Sequence, residues 1–322
     1  MNNSEKLLHY YTTELKNDLT SLEEQRKKVK TKAIVTFLLI ALLTLVALIL
    51  TSQYAEDGLG VGTLLFEVVA GYILGAFAFM MVSKGFVREY KLTILPSLIK
   101  QIDPQATYSI DNHISQSTAE SSGLFRFSLS KVAGSDLVQA NYHDVAIEFS
   151  NLTLEHSYRD EENNKTTTYV LFSGLFIAVD FNKNFKTNTI VLPESEEKKY
   201  GTMLGQWIQS RDEHYGSLVK MDNPEFEKIF VVYAADQIEA RYILTPSTME
   251  RILKFKASTN QPILFAFNNS KLYIGIATGK DFFAPKIFKS LFDTDATKEY
   301  AHNISFAINI IDDLKLNERL WG

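Results

Sequence analysis

The run Ala33-Ile-Val-Thr-Phe-Leu-Leu-Ile-Ala-Leu-Leu-Thr-Leu-Val-Ala-Leu-Ile-Leu-Thr51 holds no charged residue, and only Thr36 and Thr44 interrupt its apolar side chains before Leu50. A bilayer core about 30 Å thick needs roughly 20 apolar residues at a rise of about 1.5 Å each. This run meets that requirement, and a second apolar run follows at 58–82. The alternatives are a buried hairpin of a soluble protein and a cleaved signal peptide. The first run starts only after residue 32, is too long for a signal peptide and lacks a small-residue cleavage site before the second.

The flanking charges orient the hairpin. Lys6, Lys16, Arg26, Lys27, Lys28, Lys30 and Lys32 precede it; Lys84, Arg88, Lys91 and Lys100 follow; the connection carries Glu56 and Asp57 and no Lys or Arg. That asymmetry predicts a two-span protein of the inner (plasma) membrane with both termini cytoplasmic. The lipid bilayer is then the first partner, and Arg26, Lys27, Lys28, Lys84 and Arg88 are placed to meet anionic headgroups. Glu67 is the one ionisable residue inside a span; counted from Val61 it lies about 9 Å in, within reach of the outer interface. Gly71 and Gly75 form a Gly-x-x-x-Gly pair that lets a helix approach closely: the first span of the same chain, or alternatively a second copy in a homo-oligomer.

With no cysteine, the 322-residue chain cannot build disulfides, Cys-ligated zinc, iron–sulfur clusters or a thiol nucleophile. The net charge is −5 and the basic residues gather beside the spans, so nucleic acid is not an expected partner.

Leu8, Leu15, Leu22 and Val29 recur every seven residues, which predicts an amphipathic helix over 5–30. Val87, Tyr90, Ile94, Leu98 and Ile102 continue a helical stripe beyond the second span, kinked or restarted at Pro96 and ending at Asp103-Pro104. From Ala106 the period becomes two. Strands are expected at 136–142, 145–154, 169–180, 189–192, 229–234 and 240–244, with a polar loop at 159–165 and a charged loop at 194–200. A short helix with Trp207 is expected at 203–211, and another opens at Thr245-Pro246-Ser247 with Ser247 and Glu250 as a capping box. A hairpin at 263–277 turns on Asn268-Asn269-Ser270, and two helices, 285–292 and 296–316, close the chain. The fold class is α+β: an N-terminal transmembrane helical hairpin, then a mainly antiparallel β cytoplasmic domain with C-terminal helices. The expected divisions are an amphipathic helix (1–32), two transmembrane helices (33–51 and 58–82), a juxtamembrane helix (83–103) and the cytoplasmic domain (104–322), the last as one body or two β blocks at 104–200 and 222–322.

The runs Val170-Leu-Phe-Ser-Gly-Leu-Phe-Ile-Ala-Val-Asp-Phe-Asn182, Asn188-Thr-Ile-Val-Leu-Pro193 and Phe226-Glu-Lys-Ile-Phe-Val-Val-Tyr-Ala-Ala-Asp-Gln-Ile-Glu-Ala-Arg-Tyr-Ile-Leu-Thr-Pro246, with Met249-Glu-Arg251, Asp281-Phe-Phe283 and Leu320-Trp321, resemble the DUF3137 family of bacterial membrane proteins. The resemblance covers roughly residues 85–322 and implies a similar pair of N-terminal spans. The family is one of unknown function, so it implies no catalytic residue.

Chemistry-bearing motifs are sparse. His9, His113, His143, His156, His214 and His302 form no His-x-x-x-His or His-Glu-x-x-His pair, so neither a metal nor a cofactor is expected. Gly58-Leu-Gly-Val-Gly62 has neither dinucleotide nor P-loop spacing, and no Gly-x-Ser-x-Gly elbow exists. The one suggestive cluster is Asp236, Glu239, Arg241 and Tyr242. With Asp236-Gln237 as a hairpin turn, Glu239 and Arg241 would share one strand face as an ion pair or as a positioned general base. Three readings follow. The first is a membrane-anchored cytoplasmic interaction or scaffold module with an unidentified protein partner. The second is a membrane-proximal enzyme using Asp236, Glu239 and Arg241. The third is an accessory subunit of a membrane transport complex, contacted through Glu67 and the Gly71/Gly75 face.

Overall fold

The computed structural model describes residues 3–54, 61–125, 127–160, 164–181, 185–194 and 215–316. Glu56 and Asp57, Gly58 and Gly60, Asn182, most of the loop at 194–200, the helix expected around Trp207, His214 and the closing Leu320-Trp321 lie outside these residues. The chain divides into two compact units: Glu5–Ser97 with Ala284–Ala301, and Leu98–Phe283 with Met1–Ser4 and His302–Gly322.

The first unit is helical. Its elements come from α1 (Asn3–Thr13), α2 (Lys16–Tyr54) and α3 (Val61–Ile102). The single amphipathic helix expected over 5–30 is instead broken after Thr13, where the N–H groups of Glu14 and Leu15 both donate to the Tyr10 carbonyl. Beyond the break α2 runs for 39 residues without interruption. The buried stripe is Leu7, Tyr11, Leu15, Leu19 and Leu22, whereas Leu8 and Val29 are only half-buried. A straight helix returns to one face every three or four residues, so a seven-residue count catches only alternate members of the stripe. Pro96 sits inside α3, which continues past it to Ile102, so the helix does not restart there. Phe86, Tyr90, Ile94, Leu95, Leu98 and Ile99 are among its buried residues around that point.

The second unit is built on one nine-stranded antiparallel sheet: β1 (Thr107–Ser109), β2 (Lys131–Tyr142), β3 (Val145–Asp160), β4 (Lys165–Asp180), β5 (Thr189–Pro193), β6 (Ser217–Val219), β7 (Phe230–Ala234), β8 (Ile263–Asn268) and β9 (Lys271–Ile276). The spatial order is β1-β2-β3-β4-β9-β8-β5-β7-β6, so strands from 104–200 and from 222–322 share one sheet. Both faces of its centre are covered, which is why β5 and β8 read as continuous apolar runs rather than as alternation. Phe172, Phe176, Ile190, Leu192, Leu264 and Ala266 pack on one face with Leu124 and Ala119, the latter from α4 (Gln116–Ser121). On the other, Phe265 meets Phe230 and Phe255, and Phe255 stacks on Phe306 at 4.6 Å. At Gly174 of β4 a Cβ would fall on the Ile276 carbonyl, so only glycine lets β9 leave the ladder there.

Among the described residues the remaining helices are α5 (Pro224–Glu227), α6 (Gln237–Ile243), α7 (Pro246–Ala257) and α8 (Thr294–Asp313). Pro246 is the first helical residue of α7, and its cap is Thr245, whose hydroxyl accepts from the Thr248 N–H at 3.2 Å. Two expectations are corrected. Residues 240–244 are not a strand but the end of α6, because Asp236 caps the helix and Gln, Glu, Ala and Arg are good helix formers. Residues 285–292 form successive turns rather than a helix, their polar backbone groups being taken by side chains of the helical unit.

Candidate functional site

In the helical unit, Glu23 and Arg26 lie three apart on one face of α2 and form a fully buried bidentate pair: Arg26 Nε and Nη2 each donate to a Glu23 oxygen at 2.8 Å. The remaining valences of the pair capture the 287–291 turn. Arg26 Nη1 donates to the Ile287 carbonyl, while Glu23 accepts from the Leu291 N–H at 2.9 Å and the Ser290 hydroxyl at 3.1 Å. Burial alone would raise the Glu23 carboxyl, but the Arg26 guanidinium, the Leu291 N–H and the Ser290 hydroxyl outweigh it and hold it down at about 2. The Leu291 carbonyl in turn accepts from the Tyr11 hydroxyl at 3.3 Å and the Thr297 hydroxyl at 3.2 Å. Tyr11 also bonds Tyr90 at 3.0 Å, and burial pushes its phenol up to about 12. Both shifts run away from neutral pH, and the bonds of this constellation hold the turn in place. A cavity of about 280 Å³ opens beside it, lined by Leu8, Tyr11, Lys16, Leu291 and Phe292 among others.

The two apolar runs pack on each other through small residues. A Cβ at Gly71 would fall on the Thr44 hydroxyl, and one at Gly75 would lie 3.5 Å from the Phe37 ring, so the Gly-x-x-x-Gly face is turned toward α2 of the same chain. Glu67 faces the same helix, with Thr51 Oγ1 donating to it at 3.4 Å. Away from this seam the apolar side chains are open: in each helix only 6% of the most apolar stretch is buried. Lys27, Lys28, Lys84 and Arg88 are exposed below it, whereas Arg26 is taken by Glu23.

In the β unit, Asp236, Glu239 and Arg241 lie close in sequence but do different things. Asp236 Oδ1 accepts from the Ile238 and Glu239 N–H groups at 2.8 and 3.2 Å as the cap of α6. Glu239 points back to the 186–187 backbone, accepting from the Lys186 N–H at 2.8 Å, the Thr187 N–H at 2.8 Å and the Thr187 hydroxyl at 2.6 Å. Partial burial raises its carboxyl, yet these three donors outweigh that and leave it below the ordinary range. Arg241 donates to the Gln237 and Lys220 carbonyls at 3.4 and 3.3 Å, linking α6 to the chain beyond β6. A carboxylate with three donors already in place is a weak base, and the guanidinium is turned to backbone rather than to it.

Residues 170–316 match the family model for a protein of unknown function, DUF3137. Over these residues the chain is similar to the DUF3137 family. No curated protein matches it. Among solved structures, the crystal structure of the mycobacterial trehalose monomycolate transport factor A, TtfA, is similar at 10% identity and a TM-score of 0.32, covering 67% of this chain and 93% of that one. That likeness is too distant to carry over any property.

The DUF3137 region supplies one half of a second polar network that the sequence did not announce. Asp136, fully buried in a bulge of β2, accepts from Tyr108 and Ser135 hydroxyls at 2.7 Å and from Asn151 Nδ2 at 2.9 Å. Asn151 also donates to Asp281 at 3.0 Å and accepts from the Phe282 N–H at 3.0 Å. These bonds tie β1–β3 to the turn at 281–283. The polar contacts of Glu23, Tyr11 and Ser290 were equally unannounced, and Tyr90 was read only as part of an apolar stripe; the signal available was an acid and an arginine three apart on the apolar side of a helix. Among the described residues no group of three His, Asp or Glu side chains is arranged to hold a metal.

Proposed function

We propose that this chain is a membrane-anchored interaction module. The hairpin crosses the bilayer at 33–51 and 58–82, and the β unit lies on the cytoplasmic side. The observation that carries the reading is the open apolar surface of both helices, with Thr44, Thr51 and Glu67 turned into the seam between them. A core helix of a soluble protein would bury that surface. The absence of Lys and Arg from the connection, against their abundance on both flanks, supports the orientation. The exposed Ile238 and Tyr242, one turn apart on α6, with Leu218 on the edge strand β6, support a protein contact on the β unit. We read Asp236, Glu239 and Arg241 as holding α6 in place for that contact.

The natural lack of cysteine makes the test direct. Single variants Thr12→Cys, Glu56→Cys and Thr166→Cys are treated on intact cells with a membrane-impermeant maleimide. Labelling of Glu56→Cys alone, with the other two reacting only after permeabilisation, is expected. The reverse pattern overturns the orientation, and equal labelling of all three in a fraction released by alkaline carbonate overturns the anchor.

A further inference from the structure

We propose that Phe288 is a third point of membrane contact, a ring presented by the 284–293 turn to the boundary between headgroups and acyl chains of the cytoplasmic leaflet. The inference rests on the reading of α2 and α3 as spans, and its geometry is independent of it. Phe288 stacks on Phe79 of α3, ring centroids 5.6 Å apart and planes at 14°. Phe79 lies three residues inside Val82, the last residue of the apolar run, which puts it about 4.5 Å past the edge of the band. A residue more than two hundred positions downstream is therefore held at membrane depth, and its ring still keeps 56% of its surface open.

The turn is fixed on either side of this ring. The carbonyl of Ile287 is bonded by Arg26 and the N–H of Leu291 by Glu23, so Phe288 is presented by a braced backbone rather than by a free loop. The charges around it fit an anionic surface: Lys289 is exposed next to it, and Lys27, Lys28 and Lys84 are exposed at the same end of the hairpin. An aromatic ring continuous with an apolar band, with an exposed lysine next to it in the chain, is the chemistry of interfacial lipid binding.

The test uses the full chain with Trp207→Phe and Trp321→Phe, so that one introduced tryptophan reports alone. Phe288→Trp is compared with Leu42→Trp, on the open face of the first span, and Tyr158→Trp, exposed on β3. All are reconstituted in phosphatidylcholine–phosphatidylglycerol vesicles containing lipids brominated high on the acyl chain. Phe288→Trp is expected to emit to the blue of Tyr158→Trp and to lose emission to bromine. A quenched Leu42→Trp beside an unquenched, water-like Phe288→Trp overturns the inference and leaves the anchor standing. Neither being quenched overturns both. Blue emission from Phe288→Trp without quenching means protein covers the ring, and overturns it too. Should the tryptophan disturb the turn, a spin label on Phe288→Cys in the otherwise Cys-free chain gives the same comparison through its accessibility to oxygen and to a water-soluble relaxant.

Discussion

Glu23 accepts a hydrogen bond from the backbone N–H of Leu291, 268 residues further along the chain, while its other contacts hold Arg26 at 2.8 Å. A buried ion pair gains little over an apolar pair of the same size, but removing one partner strands a charge. Arg26→Ala is therefore expected to cost about 3–5 kcal/mol in the helical unit, measured by thermal unfolding in detergent. It should also free the amides of 287–291 to exchange. A cost no larger than that of Lys27→Ala would mean that the pair is not holding the turn.

The same carboxylate gives a pH dependence. Its value in the folded chain, about 2, lies below the ordinary 4.5, so the folded state binds fewer protons. The stabilisation is then complete above about pH 4.5 and is lost as pH falls through about 2, amounting to about 3 kcal/mol. Glu23→Gln should flatten the stability profile in that window. An unchanged acid limb would place the titration elsewhere.

Gly71→Leu puts a branched side chain where the Thr44 hydroxyl sits, and overpacking of this kind costs about 1–3 kcal/mol. The same change at Gly62, where a Cβ meets nothing within 4 Å, should cost little. Crosslinking between Cys replacements at Thr44 and Gly71 within one chain, rather than between chains, is expected for the native hairpin.

Glu239→Gln keeps the shape of the side chain but replaces a charged acceptor with a neutral one. With three donors left partly satisfied, a loss of about 1–2 kcal/mol and loosening of residues 185–188 are expected, with complementation of a deletion strain intact. A normally stable variant that fails to complement would make the acid–base reading of this cluster the better one.

A fragment of residues 104–322 is expected to keep the sheet but not the 284–301 segment. Ile287, Leu291 and Tyr300 are buried within a unit whose other members are Glu5–Ser97. Hydrogen exchange should be slow in β3, β4, β8 and β9 and fast in 284–301. Equal protection of both would show that the segment folds without α1–α3.

The apolar hairpin and the mainly antiparallel sheet were legible because their signals are local: composition over twenty residues and alternation along a strand. Where the reading failed, the deciding atoms were distant or the cap was misread. Asp236 followed by Glu239 three residues later is a helix-start signal, and treating it as a hairpin turn made a strand of 240–244. Pro285 at an apparent helix start misled at 285–292, since what fixes that backbone is Arg26 and Glu23 from the other end of the chain. The buried Asp136 could not be foreseen either, because its partners Tyr108, Asn151 and, through Asn151, Asp281 come from three separate places in the sequence.

The family match begins at Val170, in the middle of β4, yet β4 is an interior strand paired along nearly its whole length with β3. The unit of common descent that the match traces is thus smaller than the unit that folds. A protein cut to residues 170–316 would turn β4 into a long, apolar free edge with its backbone groups bare, the kind of surface on which chains stack into aggregates. This chain trimmed to the matched region is expected to aggregate for that reason, and residues 104–169 mark where the trimming must stop.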